Sequence, residues 1–89
     1  MVTYQVVFSK TAQKNIPKLR SANLTEKVRM LIEIIKEDPF RNPPPYEKLI
    51  GDMSGLYSRR INIRHRLVYK VDETKKIIQI VSVWSHYEF

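Results

Sequence analysis

The sequence predicts a small α+β fold in which two helices near the N-terminus pack on a mainly antiparallel sheet, in the order β-α-α-β-β-β. Three observations support this prediction. Residues 2–8 have the residue types and period of a strand, residues 24–35 repeat apolar side chains at helical spacing, and residues 56–83 contain three strand-like runs with short connections. Because 89 residues suffice for one hydrophobic core, we expect a single domain spanning residues 1–89.

The first strand and the first helix are predicted from residues 2–21. One face of the strand carries its apolar side chains at every second position, namely Val2, Tyr4, Val6 and Phe8. Ser9 is a suitable N-cap for a helix that begins at Lys10. Pro17 lacks the backbone N–H that a helix interior needs, so we expect it to kink or end this helix.

The second helix has both a start signal and a stop signal. Asn23 and Glu26 have the spacing of a capping box. The apolar face that follows contains Leu24, Val28, Leu31, Ile32 and Ile35. The helix should end by Asp38, because Pro39 disfavours helical geometry in the residue before it.

Prolines and glycines organise the middle of the chain. Four of the seven residues 39–45 are proline, which predicts an extended connector, and Glu47 is expected in the loop that follows. Three strands are then predicted over residues 56–63, 66–71 and 76–83. Arg64 and His65 should form a short turn, and residues 72–75 should form a polar hairpin connection. Such short links favour an antiparallel meander.

Composition excludes several classes of site. The chain has no cysteine and two histidines, so we expect no disulfide, no thiolate zinc site and no metal or other cofactor. The longest apolar run is three residues, whereas a spanning helix needs about 20, so no membrane segment or signal peptide is predicted. A reducing cytoplasm suits this composition.

Positive charge is concentrated in one segment. Of a net charge of +7, residues 41–70 contribute seven basic and two acidic side chains. Five of these basic residues are arginines, at positions 41, 59, 60, 64 and 66. Arginine can donate two parallel hydrogen bonds to a phosphate, so the segment favours a polyanionic partner, either a nucleic acid or an acidic protein segment. Surface charge retained for solubility is the alternative interpretation.

The same segment contains the groups required for RNA cleavage. Attack by the 2′-hydroxyl requires a base, an acid for the leaving 5′-oxygen, and cations for the phosphate. Glu47 could be the base, His86 the acid, and Arg60 with Arg66 the cations. Residue types alone are a weak signal and favour the alternative interpretation. In that interpretation the glutamate is simply solvated, the histidine is inert and the arginines cover an exposed sheet face.

Several motifs together resemble a known family. They are Tyr46-Glu47-Lys48-Leu49, Gly51, the run from Ser54 to Asn62, the run from His65 to Tyr69, and His86-Tyr87. This pattern covers most of the chain and strongly resembles the YoeB (Txe) toxins of the RelE superfamily. The resemblance implies an endoribonuclease that enters the A site of the 70S ribosome and cuts mRNA, and that is held inactive by a YefM/Phd-like antitoxin. A homodimer or a toxin–antitoxin heterocomplex is also implied.

The resemblance assigns roles by position. Glu47 matches the general base, His86 the general acid, Arg66 and Arg60 the phosphate-binding arginines, and Tyr87 a tyrosine that helps to hold the substrate. Two departures are visible. Ile50 stands where related toxins have a lysine, which leaves Lys48 as the nearest substitute, and Glu88-Phe89 extend the chain beyond the usual His-Tyr end.

Other residues are given structural interpretations. Arg59 is a further phosphate-binding candidate, but it must point away from Arg60 on an alternating strand, which favours a structural role or a contact with ribosomal RNA. His65 is expected to stabilise the strand turn through a hydrogen bond, and Trp84 and Tyr69 to pack in the core or on the sheet. Two alternatives to the ribonuclease stay open: a ParE-like inhibitor of DNA gyrase, and a non-catalytic RNA-binding module.

Overall fold

Two helices pack on one sheet, which confirms the predicted α+β class. The computed structural model describes residues 3–51 and 55–86, and the elements below are those of this part of the chain. The strands are β1 (Gln5–Phe8), β2 (Tyr46–Lys48), β3 (Leu56–Arg60), β4 (His65–Asp72) and β5 (Ile77–His86). The helices are α1 (Lys10–Ser21) and α2 (Thr25–Glu37).

The five described strands form a sheet in the order β1-β5-β4-β3-β2. β1 lies parallel to β5, and the other three pairs are antiparallel. The predicted meander of the last three strands is therefore confirmed. The expectation that a loop carries Glu47 is wrong, because residues 46–48 form an edge strand whose backbone pairs with residues 57–59 of β3. A three-residue strand after a proline-rich connector has too little periodicity to be recognised in the sequence.

Helix α1 begins as predicted but continues past its proline. The Ser9 hydroxyl accepts a hydrogen bond from the Ala12 N–H at 3.0 Å and donates one to the Val81 carbonyl at 2.7 Å, so the cap also ties the helix to β5. The prediction that Pro17 could end the helix is wrong, because α1 continues to Ser21. Burial of Leu19 in the core stabilises the last turn and offsets the backbone hydrogen bond that proline cannot donate.

The predicted capping box of α2 is also wrong. Asn23 has a φ of 63° and closes α1 instead, with its N–H donating to the Arg20 carbonyl at 3.1 Å. The Leu24 N–H donates to the Leu19 carbonyl at 2.9 Å, which completes a Schellman motif. Asparagine tolerates this left-handed conformation, so the same residue type suits either helix end. The predicted end of α2 is confirmed, with Asp38 as its C-cap.

One hydrophobic core lies between the helices and the sheet. Its buried members are Ala12 and Leu19 of α1, Val28, Leu31 and Ile35 of α2, and Ile61, Leu67, Tyr69, Ile78, Ile80 and Val83. The predicted apolar face of α2 supplies three of these residues. This packing holds β3, β4 and β5 in a fixed register, and that register determines which polar side chains can meet.

The turn between β3 and β4 is longer than predicted. β3 ends at Arg60 rather than at Ile63, and His65 begins β4 instead of lying in the turn. The Asn62 carboxamide oxygen accepts hydrogen bonds from the backbone N–H groups of Arg64 and His65, both at 2.8 Å. These bonds replace strand pairing over residues 61–64. β5 in turn extends beyond the predicted Val83 to His86, because its last residues pair with the start of β4.

Candidate active site

Glu47 and Arg66 form an ion pair across the sheet. Glu47 lies on the edge strand β2 and Arg66 near the start of β4, with β3 between them. Arg66 Nη1 lies 3.2 Å from Glu47 Oε1. The Arg66 side chain is 14% exposed and that of Glu47 is 55% exposed, so the guanidinium is mostly covered while the carboxylate remains open to solvent. The structure thus brings together two predicted site residues that are 19 positions apart in the chain.

Arg60 lies directly opposite Arg66 on the neighbouring strand. Side chains of directly opposed residues in an antiparallel pair project from the same face, so both guanidinium groups belong to the face that carries Glu47. Arg60 is exposed and has no ion-pair partner among the described residues. Like charges in opposed positions are destabilising, and one carboxylate cannot neutralise two arginines. Counted over residues 3–51 and 55–86, this face therefore carries excess positive charge suited to an anion such as a phosphate.

The backbone of His86 ends β5 close to this arginine pair. Ser85 is the strand partner of Arg66, and His86 pairs with His65. Arg60, Arg66 and Ser85 consequently occupy one row across three adjacent strands, and His86 follows in the next position. Tyr87 lies outside the described residues, as do Glu88 and Phe89.

Arg59 lies inside the protein instead of on the arginine face. It is 1% exposed, and its guanidinium donates hydrogen bonds to the Tyr69 hydroxyl and to the backbone carbonyls of Pro39, Arg41 and Pro44 at 2.6–3.2 Å. The Tyr46 ring lies 5.1 Å from the guanidinium carbon. This burial does not fit the phosphate-binding role expected of Arg59. Of its two other interpretations, the structural one fits, because Arg59 holds the proline-rich connector that leads into β2 and Glu47.

Lys48 and Ile50 lie beside Glu47 in the chain but differ in placement. Successive residues of a strand project from opposite faces, so Lys48 lies on the face opposite to Glu47, and the structure does not bring it to the Glu47–Arg66 pair. Ile50 follows β2 and is 84% exposed. The position at which the motif resemblance implies a lysine is thus occupied by an exposed apolar side chain.

The packing predicted for Trp84 and Tyr69 is confirmed, and His65 supports the turn through its backbone N–H, which donates to the Asn62 carboxamide oxygen. The His65 ring stacks on Trp84 with 3.8 Å between ring centroids, and His65 is buried. Tyr69 is fully buried, and its hydroxyl donates to the Pro39 carbonyl at 2.7 Å. Burial raises the pKa of the Tyr69 phenol above its ordinary value, although the nearby Arg59 acts in the opposite direction. Tyr69 therefore remains a neutral hydrogen-bonding group.

Ser58 is not among the predicted site residues, yet it lies at the centre of this face. Its backbone pairs with Glu47 on one side and with Val68 on the other. The signal for Ser58 is the same two-residue alternation that places Arg60 on this face.

Within residues 3–51 and 55–86 there is no cluster of three metal-ligating side chains and no helix long and apolar enough to cross a membrane.

Solved structures of small bacterial toxins share this fold. A YoeB/ParE toxin from Agrobacterium tumefaciens superposes with a TM-score of 0.84 and 30% identity, covering 93% of this chain and 99% of that one. A YoeB–YefM complex from Staphylococcus aureus matches with a TM-score of 0.79 and 32% identity, covering 97% and 100% of the two chains. These likenesses confirm the RelE-like architecture that the sequence predicts.

The family is established by sequence as well. The model of the YoeB-like toxins of bacterial type II toxin–antitoxin systems matches residues 12–87. The toxin YoeB of Streptomyces coelicolor is 41% identical over 66 residues, which is 74% of each chain. This chain therefore belongs to the YoeB-like toxins of bacterial type II toxin–antitoxin systems, and the resemblance noted in its motifs is confirmed.

Proposed function

We propose that this toxin is a ribosome-dependent endoribonuclease that cuts mRNA at the A site, without a metal or other cofactor. The observation that carries the proposal is the Glu47–Arg66 pair at 3.2 Å, with Arg60 directly opposite Arg66. A carboxylate next to two guanidinium groups offers a proton acceptor beside a phosphate-binding site. These are two of the three groups that cleavage by a neighbouring 2′-hydroxyl requires, the third being an acid for the leaving 5′-oxygen.

In this mechanism Glu47 takes the proton of the 2′-hydroxyl. The 2′-oxygen attacks the adjacent phosphorus, the bond from phosphorus to the 5′-oxygen breaks, and His86 protonates that leaving oxygen. The products are a 2′,3′-cyclic phosphate and a free 5′-hydroxyl. Arg60 and Arg66 stabilise the charge that develops on the phosphate, and Tyr87 stacks on a base of the substrate. The roles of His86 and Tyr87 rest on their match to the family motif.

The ion pair also suggests how the base becomes available. A pair with one half-exposed partner is worth about 0–1 kcal/mol, so an RNA phosphate can displace Glu47 from Arg66 at little cost. The carboxylate is then free to accept a proton while Arg66 and Arg60 bind the phosphate. In the resting protein, the same pair partly neutralises the positive face.

We further propose that a YefM-like antitoxin inhibits this toxin by covering the Arg60–Arg66 face. The Staphylococcus aureus relative forms a YoeB–YefM complex, and a YoeB dimer of that organism has also been solved, so a heterocomplex and a homodimer are both proposed for this chain. An acidic segment of the antitoxin would complement the two arginines. Because its substrate is mRNA on the ribosome, the toxin would act in the cytoplasm.

The test is cleavage of a defined mRNA on programmed ribosomes, with the new 5′ ends sequenced. We expect the wild type to cut at the A-site codon and to leave a 2′,3′-cyclic phosphate. Glu47→Ala and His86→Ala should bind ribosomes but fail to cut. Lys70→Ala, which replaces an exposed lysine of β4 outside the proposed site, serves as the control and should cut normally.

Three other outcomes would change the assigned function or the assigned base. Intact mRNA in the presence of bound wild-type toxin would favour a non-catalytic RNA-binding module. Absence of ribosome binding would favour a ParE-like inhibitor, and inhibition of DNA supercoiling by gyrase would then be measured. If variants without Arg60 or Arg66 failed to cut while Glu47→Ala was fully active, Glu47 would not be the base.

A further inference from the structure

A buried hydroxyl lies beside the proposed base and has no hydrogen-bond partner in the part of the chain that the structure describes. Ser58 is 1% exposed, and its Oγ is buried and makes no hydrogen bond to any described residue. Nearly all buried polar groups in folded proteins are hydrogen-bonded, because an unpaired one destabilises the fold. An alanine at this position would avoid that cost, so the hydroxyl requires an explanation beyond packing.

The register places Ser58 next to the Glu47–Arg66 pair. Ser58 is the direct strand partner of Glu47, so the two side chains project from the same face with neighbouring Cβ atoms. Arg60, two residues further along β3, also lies on this face. Glu47 bonds Arg66 in the resting protein, which directs its carboxylate toward β4. A carboxylate has acceptor capacity for several donors, and the hydroxyl is a donor.

We propose that Ser58 is a positioning residue that holds Glu47 once RNA is bound. When an RNA phosphate binds Arg66, it displaces the Glu47 carboxylate. The Ser58 hydroxyl then donates a hydrogen bond to this carboxylate. This bond keeps the base ionised and oriented toward the 2′-hydroxyl. The inference rests on the proposed ribonuclease function, in which Glu47 is the base, and it explains why a buried donor is left unpaired in the resting protein.

The proposal predicts opposite effects of one substitution on stability and on catalysis. Ser58→Ala removes an unpaired buried hydroxyl, so the melting temperature should stay the same or rise. The same variant should lower kcat about ten- to a hundredfold with little change in KM, as expected for a lost hydrogen bond to a charged group. A serine that matters only for folding would give the reverse pattern, with a lower melting temperature and an unchanged kcat.

The decisive experiment compares the wild type with Ser58→Ala and Ser58→Thr in the ribosome cleavage assay over a range of pH. In Ser58→Ala the acidic limb of the pH–rate profile should move to higher pH, since the ionised base has lost a donor. Ser58→Thr retains the hydroxyl and should keep the wild-type profile. Ser21→Ala, at an exposed serine of α1, is the matched control and should change neither property. Wild-type kcat and an unshifted profile in Ser58→Ala would overturn the proposal.

A second measurement does not depend on cleavage. In crystals of the wild type soaked with inorganic phosphate, the proposal expects phosphate on Arg66 and the Ser58 Oγ within hydrogen-bond distance of a Glu47 carboxylate oxygen. This result would show that Ser58 holds Glu47 when phosphate occupies Arg66, whatever the outcome of the cleavage assay. The proposal would be refuted if the Glu47–Arg66 ion pair persisted at saturating phosphate. A hydrogen bond from the Ser58 Oγ to a buried water instead of to Glu47 would also refute it.

Discussion

Replacing Arg59 with methionine should destabilise the fold by about 2–4 kcal/mol. The variant keeps a long side chain but removes the donors that bind four oxygens of Tyr69, Pro39, Arg41 and Pro44. Each buried acceptor left unsatisfied costs about 1–3 kcal/mol. The Tyr69 hydroxyl and the Pro39 carbonyl retain their mutual bond, and the other two carbonyls are only partly buried, which limits the total loss.

Urea denaturation followed by circular dichroism measures this loss. A chain of 89 residues has a free energy of unfolding of about 4–13 kcal/mol and a urea m-value of about 1–2 kcal/mol/M. The midpoint for Arg59→Met should therefore fall by about 2 M. The same change at the adjacent, exposed Arg60 is the control, and it should alter the free energy of unfolding by less than about 0.5 kcal/mol. Equal midpoints for Arg59→Met and the wild type, or equal losses for both variants, would refute the structural role of Arg59.

Three further predictions concern the site and its support. Glu47→Gln should reduce kcat for mRNA cleavage by about a hundredfold or more. It should change the free energy of unfolding by less than about 1 kcal/mol, because the ion pair that it removes is half-exposed at Glu47. An unaltered kcat would exclude Glu47 as the base. Ile50→Lys should leave stability in urea unchanged, because Ile50 is 84% exposed. It should tighten RNA binding and steepen the dependence of the logarithm of the binding constant on the logarithm of the salt concentration by about 0.7. An unchanged slope would mean that position 50 does not contact RNA. The raised pKa of Tyr69 means that the folded state resists loss of the phenol proton. The contribution of this phenol to the free energy of unfolding is therefore complete below about pH 10 and is lost as the pH rises through the raised pKa. Urea denaturation at increasing pH should show this alkaline loss in the wild type and a smaller loss in Tyr69→Phe.

Local patterns predicted most of the secondary structure because they depend on nearest neighbours along the chain. The apolar spacing of α2 identified Val28, Leu31 and Ile35, which are buried in the core. Pro39 correctly set the end of this helix at Asp38. The two-residue period correctly separated Arg59 from Arg60, one of which is buried and the other exposed. Side-chain alternation is a property of any extended strand and does not depend on the tertiary structure.

Local signals failed where two structures compete for the same residues. Asn23 suits an N-cap and a left-handed C-terminal position equally well, and packing of Leu19 and Leu24 favoured the second. Pro17 weakens a helix, but the contact of α1 with the core is stronger than the loss of one hydrogen bond. In both cases the free energy of burial outweighs a backbone preference worth a few kcal/mol at most.

By itself the sequence determined the order of all the described elements except the short strand β2, together with the basic middle segment, the inventory of reactive side chains and, through its motifs, the toxin family. Only the tertiary structure decided that Glu47 lies on a strand, that Arg66 contacts it across β3, and that Arg59 is buried. The hydrogen bonds of Arg59 to the connector join residues 15–20 positions apart. The Glu47–Arg66 pair joins residues 19 positions apart, and the pairing of β1 with β5 joins the two ends of the described chain. Such contacts depend on strand order and register, which are set by burial of the whole core rather than by any local pattern.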